Sequence, residues 1–286
     1  MLTILVDGIA YGMLLYVLAV GLSVTLGLMN VINLAHGAFA MAGGYVCLVL
    51  VNRWGVPFLA ALPVVFVVSA LAGVVIERLL YVHIYDKSPL DQVLFTIGLV
   101  FMSVATVNYL IGPTQQFINL PDFLKQRFEF MGVAIGAYRA FIIVVCGVLA
   151  AVLQLVLSRT RFGAQLRAGV DNRDVARGLG VNVALVFALT FAVGSGLAGL
   201  GGALGAEFLG LDSGFPLKFL VYFLIVVTIG GTSSLTGPFV AALILGVADV
   251  AGKYYVPSVG AFLIYTVLVV MLIWRPHGLF ARRDAR

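Results

Sequence analysis

Residues 8 to 52 run for 45 positions without a formal charge, and this stretch limits what the chain can fold into more than any other feature. Further charge-free windows follow at 54 to 76, 92 to 121, 140 to 158, 178 to 206, 219 to 248 and 254 to 274. About 20 apolar residues in a helix cross the roughly 30 Å of a bilayer's hydrocarbon core, so the first window holds two crossings. The apolar residues make up 62% of the chain, charged residues 10%, and the mean hydropathy is +1.14. A soluble domain carries about 45 to 50% apolar residues, so a water-soluble globule is excluded. The expected fold class is all-α, a polytopic transmembrane helical bundle.

The charges that remain are unevenly placed. Five of the seventeen Lys and Arg residues, Arg159, Arg161, Arg167, Arg173 and Arg177, fall in one connection, and Arg275, Arg282, Arg283 and Arg286 lie near the C-terminus. Short basic loops stay on the cytoplasmic side, so both patches are expected inside, beside anionic membrane lipid. The formal net charge of +5 is accounted for by these helix-end patches, and no nucleic-acid partner is expected. Orientation then follows: N-terminus outside, Arg53 outside, 77 to 91 inside, 112 to 138 outside and 159 to 182 inside. The sequence MLTILVDG has no basic n-region and carries Asp7, so the first run is expected to remain as a transmembrane helix. Cys47 and Cys146 lie within apolar runs, where neither a disulfide nor a metal site is expected.

Crossings are expected at 5 to 28, 36 to 52, 57 to 78, 90 to 111, 139 to 158, 183 to 206 and 255 to 274. The window 219 to 248 has to cross twice or not at all if the two basic patches share a side. It is interrupted by GGTSSLTGP at 230 to 238, which predicts two short helices meeting at a polar break. The total is eight or nine membrane segments. A similar break, MNVINLAHG, separates the first two crossings. Its Asn30, Asn33 and His36 must face protein or a water-filled cavity, because lipid offers them no partner. Interrupted segments in the two halves of a chain point to a pathway between them. The predicted pathway residues are Asn33, His36 and Gly37 from the first break, and Gly230, Gly231, Thr232, Ser233 and Ser234 from the second. The two stretches resemble each other only weakly at residue level, and each residue equally fits the plainer role of capping a broken helix. In GSGLAGLGGALG, Gly201 and Gly205 have GxxxG spacing, which predicts close helix packing. No GxxxxGK[ST] nucleotide loop occurs anywhere.

The basic loop has internal structure of its own. Asp171 is a candidate N-cap, Asp174 stands at the capping-box position and Gly180 supplies a stop, which predicts one helix of about 8 residues. So short a helix is marginal in water and needs external support. Val175 and Leu179, at i and i+4, form an apolar ridge; Ala176 and Gly178 allow close approach, and Arg173 and Arg177 are set to pair with acidic groups of a partner. The composition fits a loop lying on the membrane surface equally well.

Four motifs, in order and at consistent spacing, together resemble a known family: NVINLAHGAFAMAGGY, RAGVDNRDVARGLGVN, IGGTSSLTGPFVAALILG and WRPHGLF. They are similar to the LivH-type permease subunit of branched-chain amino acid ABC transporters, over about residues 4 to 282. The resemblance implies one permease domain over 1 to 286, in a bacterial cytoplasmic membrane, without catalytic site or cofactor. It implies three kinds of partner: a second, LivM-like permease, two cytoplasmic ATPases, and a periplasmic or lipid-anchored binding protein. Arg167, Asp171, Asn172, Arg173, Ala176 and Gly180 match the family's ATPase-coupling segment, and Asn33, His36 and Gly37 its NxAHG motif. Related permeases for urea or short amides carry similar motifs. A self-contained carrier or channel is the main alternative; it calls for ionisable groups within the membrane, whereas Glu207, Asp212, Asp249 and Lys253 fall near span boundaries. An intramembrane enzyme built on Ser195 and His36 has no support, since nothing in the sequence brings nucleophile and base together.

Overall fold

In the computed structural model, the chain opens with α1 (Leu2–Met29), one of its two central helices. Residues 1–29, 31–130, 133–231, 236–258 and 260–274 are described. After α1 come α2 (His36–Leu48), continued by a π-helical turn at Val49–Arg53, then α3 (Phe58–Leu79) and α4 (Pro89–Leu110). A short α5 (Asp122–Lys125) precedes an antiparallel hairpin of β1 (Arg127–Phe130) and β2 (Val133–Gly136). The hairpin is the one departure from an all-α fold among the described residues, and α6 (Ala137–Arg159) follows it directly. The second half holds α7 (Arg161–Asp171), α8 (Arg173–Gly178), α9 (Val183–Leu209), α10 (Phe215–Gly230), α11 (Thr236–Tyr255) and α12 (Gly260–Trp274).

Six of the described helices, α1, α3, α4, α6, α9 and α11, are long and apolar enough to cross a membrane, and the chain is a multi-pass helical membrane protein. α1 and α9 are buried almost all round, while α4 and α6 leave Leu94, Phe101, Met102, Val144, Val148 and Leu155 exposed. A helix apolar on its outer face is what lipid demands, so these faces need no polar cover.

Small residues set the central approach. α1 and α9 run antiparallel, with Tyr11 stacked on Phe208 and Gly21 beside Gly194. The predicted GxxxG pair lies on this seam, Gly201 against Leu18 and Gly205 against Leu14. The tightest crossing is elsewhere: a Cβ on Gly43 of α2 would strike the backbone of Gly199. Side-chain loss at both positions lets the two backbones approach closely, so dispersion rather than a hydrophobic driving force holds the pair.

Cross-contacts divide the loops into two sets on opposite ends of the bundle. At one end, Asn52 donates to the Phe117 carbonyl, the Gln116 and Leu211 backbones form a bridge, and Asp7 pairs with Arg139 at 2.9 Å. At the other end, Arg173 pairs with Asp86 and Arg78 reaches the Ala184 carbonyl. Residues 77 to 91 and 159 to 182 therefore share an end, and Arg53, 112 to 138 and the N-terminus share the opposite one.

The last window is two helices that return to the end they came from. α11 runs antiparallel to α1, with Phe239 against Tyr16, Val247 against Gly8 and the Tyr255 hydroxyl against the Met1 sulfur. α10 begins soon after Phe208, which also lies at the N-terminal end, and its Gly230 packs against Gly237 and Pro238. α10 and α11 thus form a hairpin whose tip lies level with the middle of α1, and α12 starts beside Gly252 at the same end as Met1.

Candidate translocation and coupling sites

The first break is held by protein groups on every side that the structure describes. α1 ends at Met29, and α2 begins at His36 without a side-chain cap. His36 is fully buried, and its Nε2–H donates to the Leu18 carbonyl at 2.8 Å. Its ring meets Phe223 of α10 edge to face, and Gly37 packs on the Pro216 backbone. Asn33, also buried, accepts from the Tyr81 hydroxyl at 2.6 Å, and the Ile32 N–H donates to Gln92 Oε1 at 3.0 Å. Buried polar groups need such partners, and here the turn after α3 and the start of α4 supply them. Tyr81 and Gln92 are site residues that sequence reading missed; Tyr81 lies in the turn after α3 and Gln92 in the first turn of α4, and neither has a motif.

At the second break, Gly230 ends α10 and Gly231 takes φ +82°, a conformation costly for any residue with a Cβ. Thr232, Ser233 and Ser234 lie outside the described residues, as does Asn30. The two breaks touch α1 at nearly the same height, His36 at Leu18 and Phe239 at Tyr16. Two residues along a 3.6-residue turn are about 200° apart, so the breaks lie on different sides of α1. α10 joins them, with Phe223 at His36 and Gly230 at the hairpin tip.

The basic loop is two helices where the sequence suggested one. α7 carries Arg161 to Asp171, with Thr160 as N-cap, and Arg167 donates to the Leu157 carbonyl. Asp171 is therefore the last residue of α7, and the N-cap of α8 is Asn172. Asn172 Oδ1 accepts from the Asp174 and Val175 amides at 3.1 and 3.0 Å, which Asp171, still in helical conformation, is not placed to do. Gly180 does stop the turn, at φ +83°.

Orientation of α8 also differs from expectation. Ala176 is 2% exposed and packs into its own chain, so it offers no surface for close approach by another protein. Arg173 pairs with Asp86 at 3.1 Å and stacks over Phe187 at 5.1 Å, so its acidic partner is internal. Arg177 pairs with Asp174 within the helix. Val175 and Leu179 remain open, at 58% and 77% exposure. Beneath α8 lies a cavity of about 160 Å³ lined by Glu77, Tyr85, Asp86 and Arg173 among others. Glu77 is almost wholly buried; Tyr85 donates to its Oε1 at 2.8 Å and Arg78 lies 3.6 Å from its Oε2. Burial, with Glu77 beside it, pushes the Tyr85 phenol well above its usual range.

One boundary expectation fails. Asp249 is 1% exposed and paired with Lys253 inside the bundle, so an ionisable group does sit within the apolar interior. Cys47 and Cys146 are both free and buried, and Ser195 spends its hydroxyl on the Phe191 and Ala192 carbonyls.

A bundle of apolar helices with two broken segments against its central helix defines a membrane permease. The model of the branched-chain amino acid transport system permease component family matches residues 4–272, and the chain belongs to that family as a LivH-type permease. A probable branched-chain amino acid transport permease protein LivH from Methanocaldococcus jannaschii is 28% identical, over 96% of this chain and 91% of that one. The high-affinity branched-chain amino acid transport system permease protein BraD of Pseudomonas aeruginosa is 26% identical, over 98% and 95%. The corresponding LivM of Salmonella typhimurium is 25% identical over 96% of this chain and 69% of its own length. No solved structure gives a significant match. The relatives are all named as transport permeases.

Proposed function

We propose that this chain is one permease half of an ABC importer for branched-chain amino acids, paired with a LivM-like chain. Two cytoplasmic ATPases drive it, and a periplasmic or lipid-anchored binding protein delivers substrate. The single permease domain spans 1 to 286 in a bacterial cytoplasmic membrane, with 159 to 182 and the C-terminus inside and the N-terminus outside. In this reading α1, α2, α3, α4, α6, α9 and α12 cross, while α10 and α11 enter and leave on the outer side. That arrangement supports the parity demanded by the two basic patches. The pathway runs along the broken segments, where Asn33, His36, Gly37, Gly230 and Gly231 stand with Thr232, Ser233 and Ser234.

The observation that carries the coupling role is the exposed pair Val175 and Leu179 on a helix otherwise anchored to its own chain. A six-residue helix that leaves Val175 exposed, with Leu179 exposed at its C-cap, has a surface left for a partner, and a groove on each ATPase is the proposed occupant. Ala176→Glu would disturb this chain's own packing, so the informative substitutions are Val175→Asp and Leu179→Asp. In the assembled transporter, both together should abolish substrate-stimulated ATP hydrolysis and uptake while the permease pair still assembles. Normal hydrolysis and uptake in that variant would rule out α8 as the coupling element.

The buried Asp249 favours a second reading, a carrier that works without ATP, because such proteins hold ionisable groups inside the bundle. Uptake into vesicles by the permease alone, driven by an ion gradient, would support it and displace the importer.

A further inference from the structure

At the end of the bundle that holds the N-terminus, residues 115 to 119 form a strap outside any helix, and consecutive residues tie it to two different elements. The Gln115 amide packs against Gly210, and the Gln116 and Leu211 backbones exchange hydrogen bonds at 2.7 and 3.2 Å. Gly210 and Leu211 belong to the linker between α9 and α10. Asn52, in the π-helical turn that ends α2, donates to the Phe117 carbonyl at 2.9 Å and accepts from the Asn119 amide at 3.0 Å. Between these two residues, the Ile118 side chain is buried. The strap therefore fastens the end of α2 to the linker that leads into α10. The same two helices meet again at the first break, with Gly37 on Pro216 and His36 on Phe223.

This fastening is weak by construction. Both Asn52 bonds are exposed, where water competes for the same groups, and the Gln116 to Leu211 bridge is isolated rather than part of a ladder. The closed arrangement also carries a cost. The Leu211 side chain packs on Gly44, and the hydroxyl of the adjacent Tyr45 is buried with no hydrogen-bond partner among the described residues. An unpaired buried hydroxyl disfavours the state that buries it. The strap can thus release without unfolding the helices it joins, as low-stability segments of a rigid scaffold do.

We propose that residues 115 to 119 are a latch on the outer mouth of the permease. Closed, it holds the start of α10 against the end of α2. Released from Leu211, it frees α10 to move away from α2, and with it the contacts that Pro216 and Phe223 make with Gly37 and His36. The latch must therefore open in each transport cycle for the first break to be reached from outside. This inference rests on the importer reading above and on its placing of the pathway along the broken segments.

A reversible crosslink across the bridge tests it. A backbone pair that exchanges both hydrogen bonds has its Cα atoms about 5.5 Å apart, a separation that a disulfide spans. Gln116→Cys with Leu211→Cys, in a Cys47→Ala, Cys146→Ala background, is assembled with the ATPases and binding protein in proteoliposomes, and uptake of radiolabelled leucine is followed. Oxidation, verified by the mass of the linked peptide, should abolish uptake, and reduction of the same vesicles should restore it. The reduced state controls for the missing Leu211 side chain. Asn52→Leu, at an exposed position, keeps the latch testable if the cysteine pair assembles poorly. Loss of its two hydrogen bonds should speed hydrogen exchange of the Gln116 and Leu211 amides about thirtyfold in the resting complex. In the unmodified complex the same amides should exchange faster during ATP turnover than at rest. Full uptake with the bridge crosslinked, or exchange unchanged by turnover, would make the strap a static brace and overturn the latch alone. Absence of leucine uptake by the unmodified complex would overturn the importer reading and the latch with it.

Discussion

Asn172→Ala should loosen α8 and leave the rest of the molecule in place. Asn172 Oδ1 is the acceptor for the Asp174 and Val175 amides, two of the donors that a helix start leaves without intrahelical partners. Removing an N-cap side chain costs about 1 kcal/mol, within a range of roughly 0.5 to 2. On a six-residue helix that cannot persist alone, this cost falls on the local closed state, raising the open population about fivefold. The remaining restraints are the buried Ala176, the Arg173 to Asp86 pair and the stop at Gly180, so the helix should open more often without being lost. Hydrogen exchange of the 172 to 181 segment, read by mass spectrometry on the assembled complex, should accelerate about fivefold in its first amides. Asn172→Asp keeps the acceptor and should exchange like wild type, and the α7 segment should be unchanged in both. Wild-type exchange in Asn172→Ala would refute the assignment of Asn172 as the cap on which α8 depends.

Further substitutions probe the packing. Tyr81→Phe strands the buried Asn33 amide oxygen and should destabilise by about 1 to 3 kcal/mol, seen as a lower melting temperature in detergent; a wild-type melt would show that water replaces the hydroxyl. Gly43→Ala places a methyl against the Gly199 backbone and should cost about 1 to 3 kcal/mol by overpacking, with stability equal to wild type refuting the close approach. Arg173→Ala and Asp86→Ala break one partly exposed ion pair and should each cost at most about 1 kcal/mol, with the double variant no worse than the single Arg173 change if the pair is the whole effect.

Crossings were legible because charge-free windows and helix length are tied to bilayer thickness, and α3, α4, α6 and α9 start and end within about three residues of the crossings expected at 57 to 78, 90 to 111, 139 to 158 and 183 to 206. Gly180 was legible for a local reason, since a left-handed residue after a helix has few substitutes for glycine. The N-cap was misplaced by one residue because Asp171 and Asn172 are both good caps in isolation. Arg161 to Asp171 coil into α7, with Leu166 buried, and tertiary packing decides between the two caps. Ala176 read as an approach surface because small residues serve any interface, internal or external, and burial alone tells which. Asp249 was the costlier miss. A charge directly at a window's edge looks terminal when the window is taken as one or two spans, but α11 runs from Thr236 in the interior to Tyr255 at the end, which leaves Asp249 about two turns deep against α1 and α10.

The start of α2 and the α10 and α11 hairpin each end a helix inside the bundle. A helix that stops inside a bundle leaves its last carbonyls or first amides without partners, and in lipid each would be prohibitive. α2 meets this by starting after a non-helical segment whose Asn33 and Ile32 are satisfied by Tyr81 and Gln92, with His36 tied to α1. α10 and α11 meet it by approaching so closely at Gly230 and Gly237 that the tip packs backbone on backbone. The first solution takes partners from α1, from α4 and from the turn after α3, whereas Gly230 and Gly237 meet within the hairpin. A motion that separates α4 and the turn after α3 from α1 therefore disturbs the first break. The Tyr81 and Gln92 turn is also where Asp86 receives Arg173 from α8. A displacement of α8 at the proposed ATPase contact thus reaches Asn33 through one turn of chain, from Asp86 to Tyr81, without passing through the apolar core.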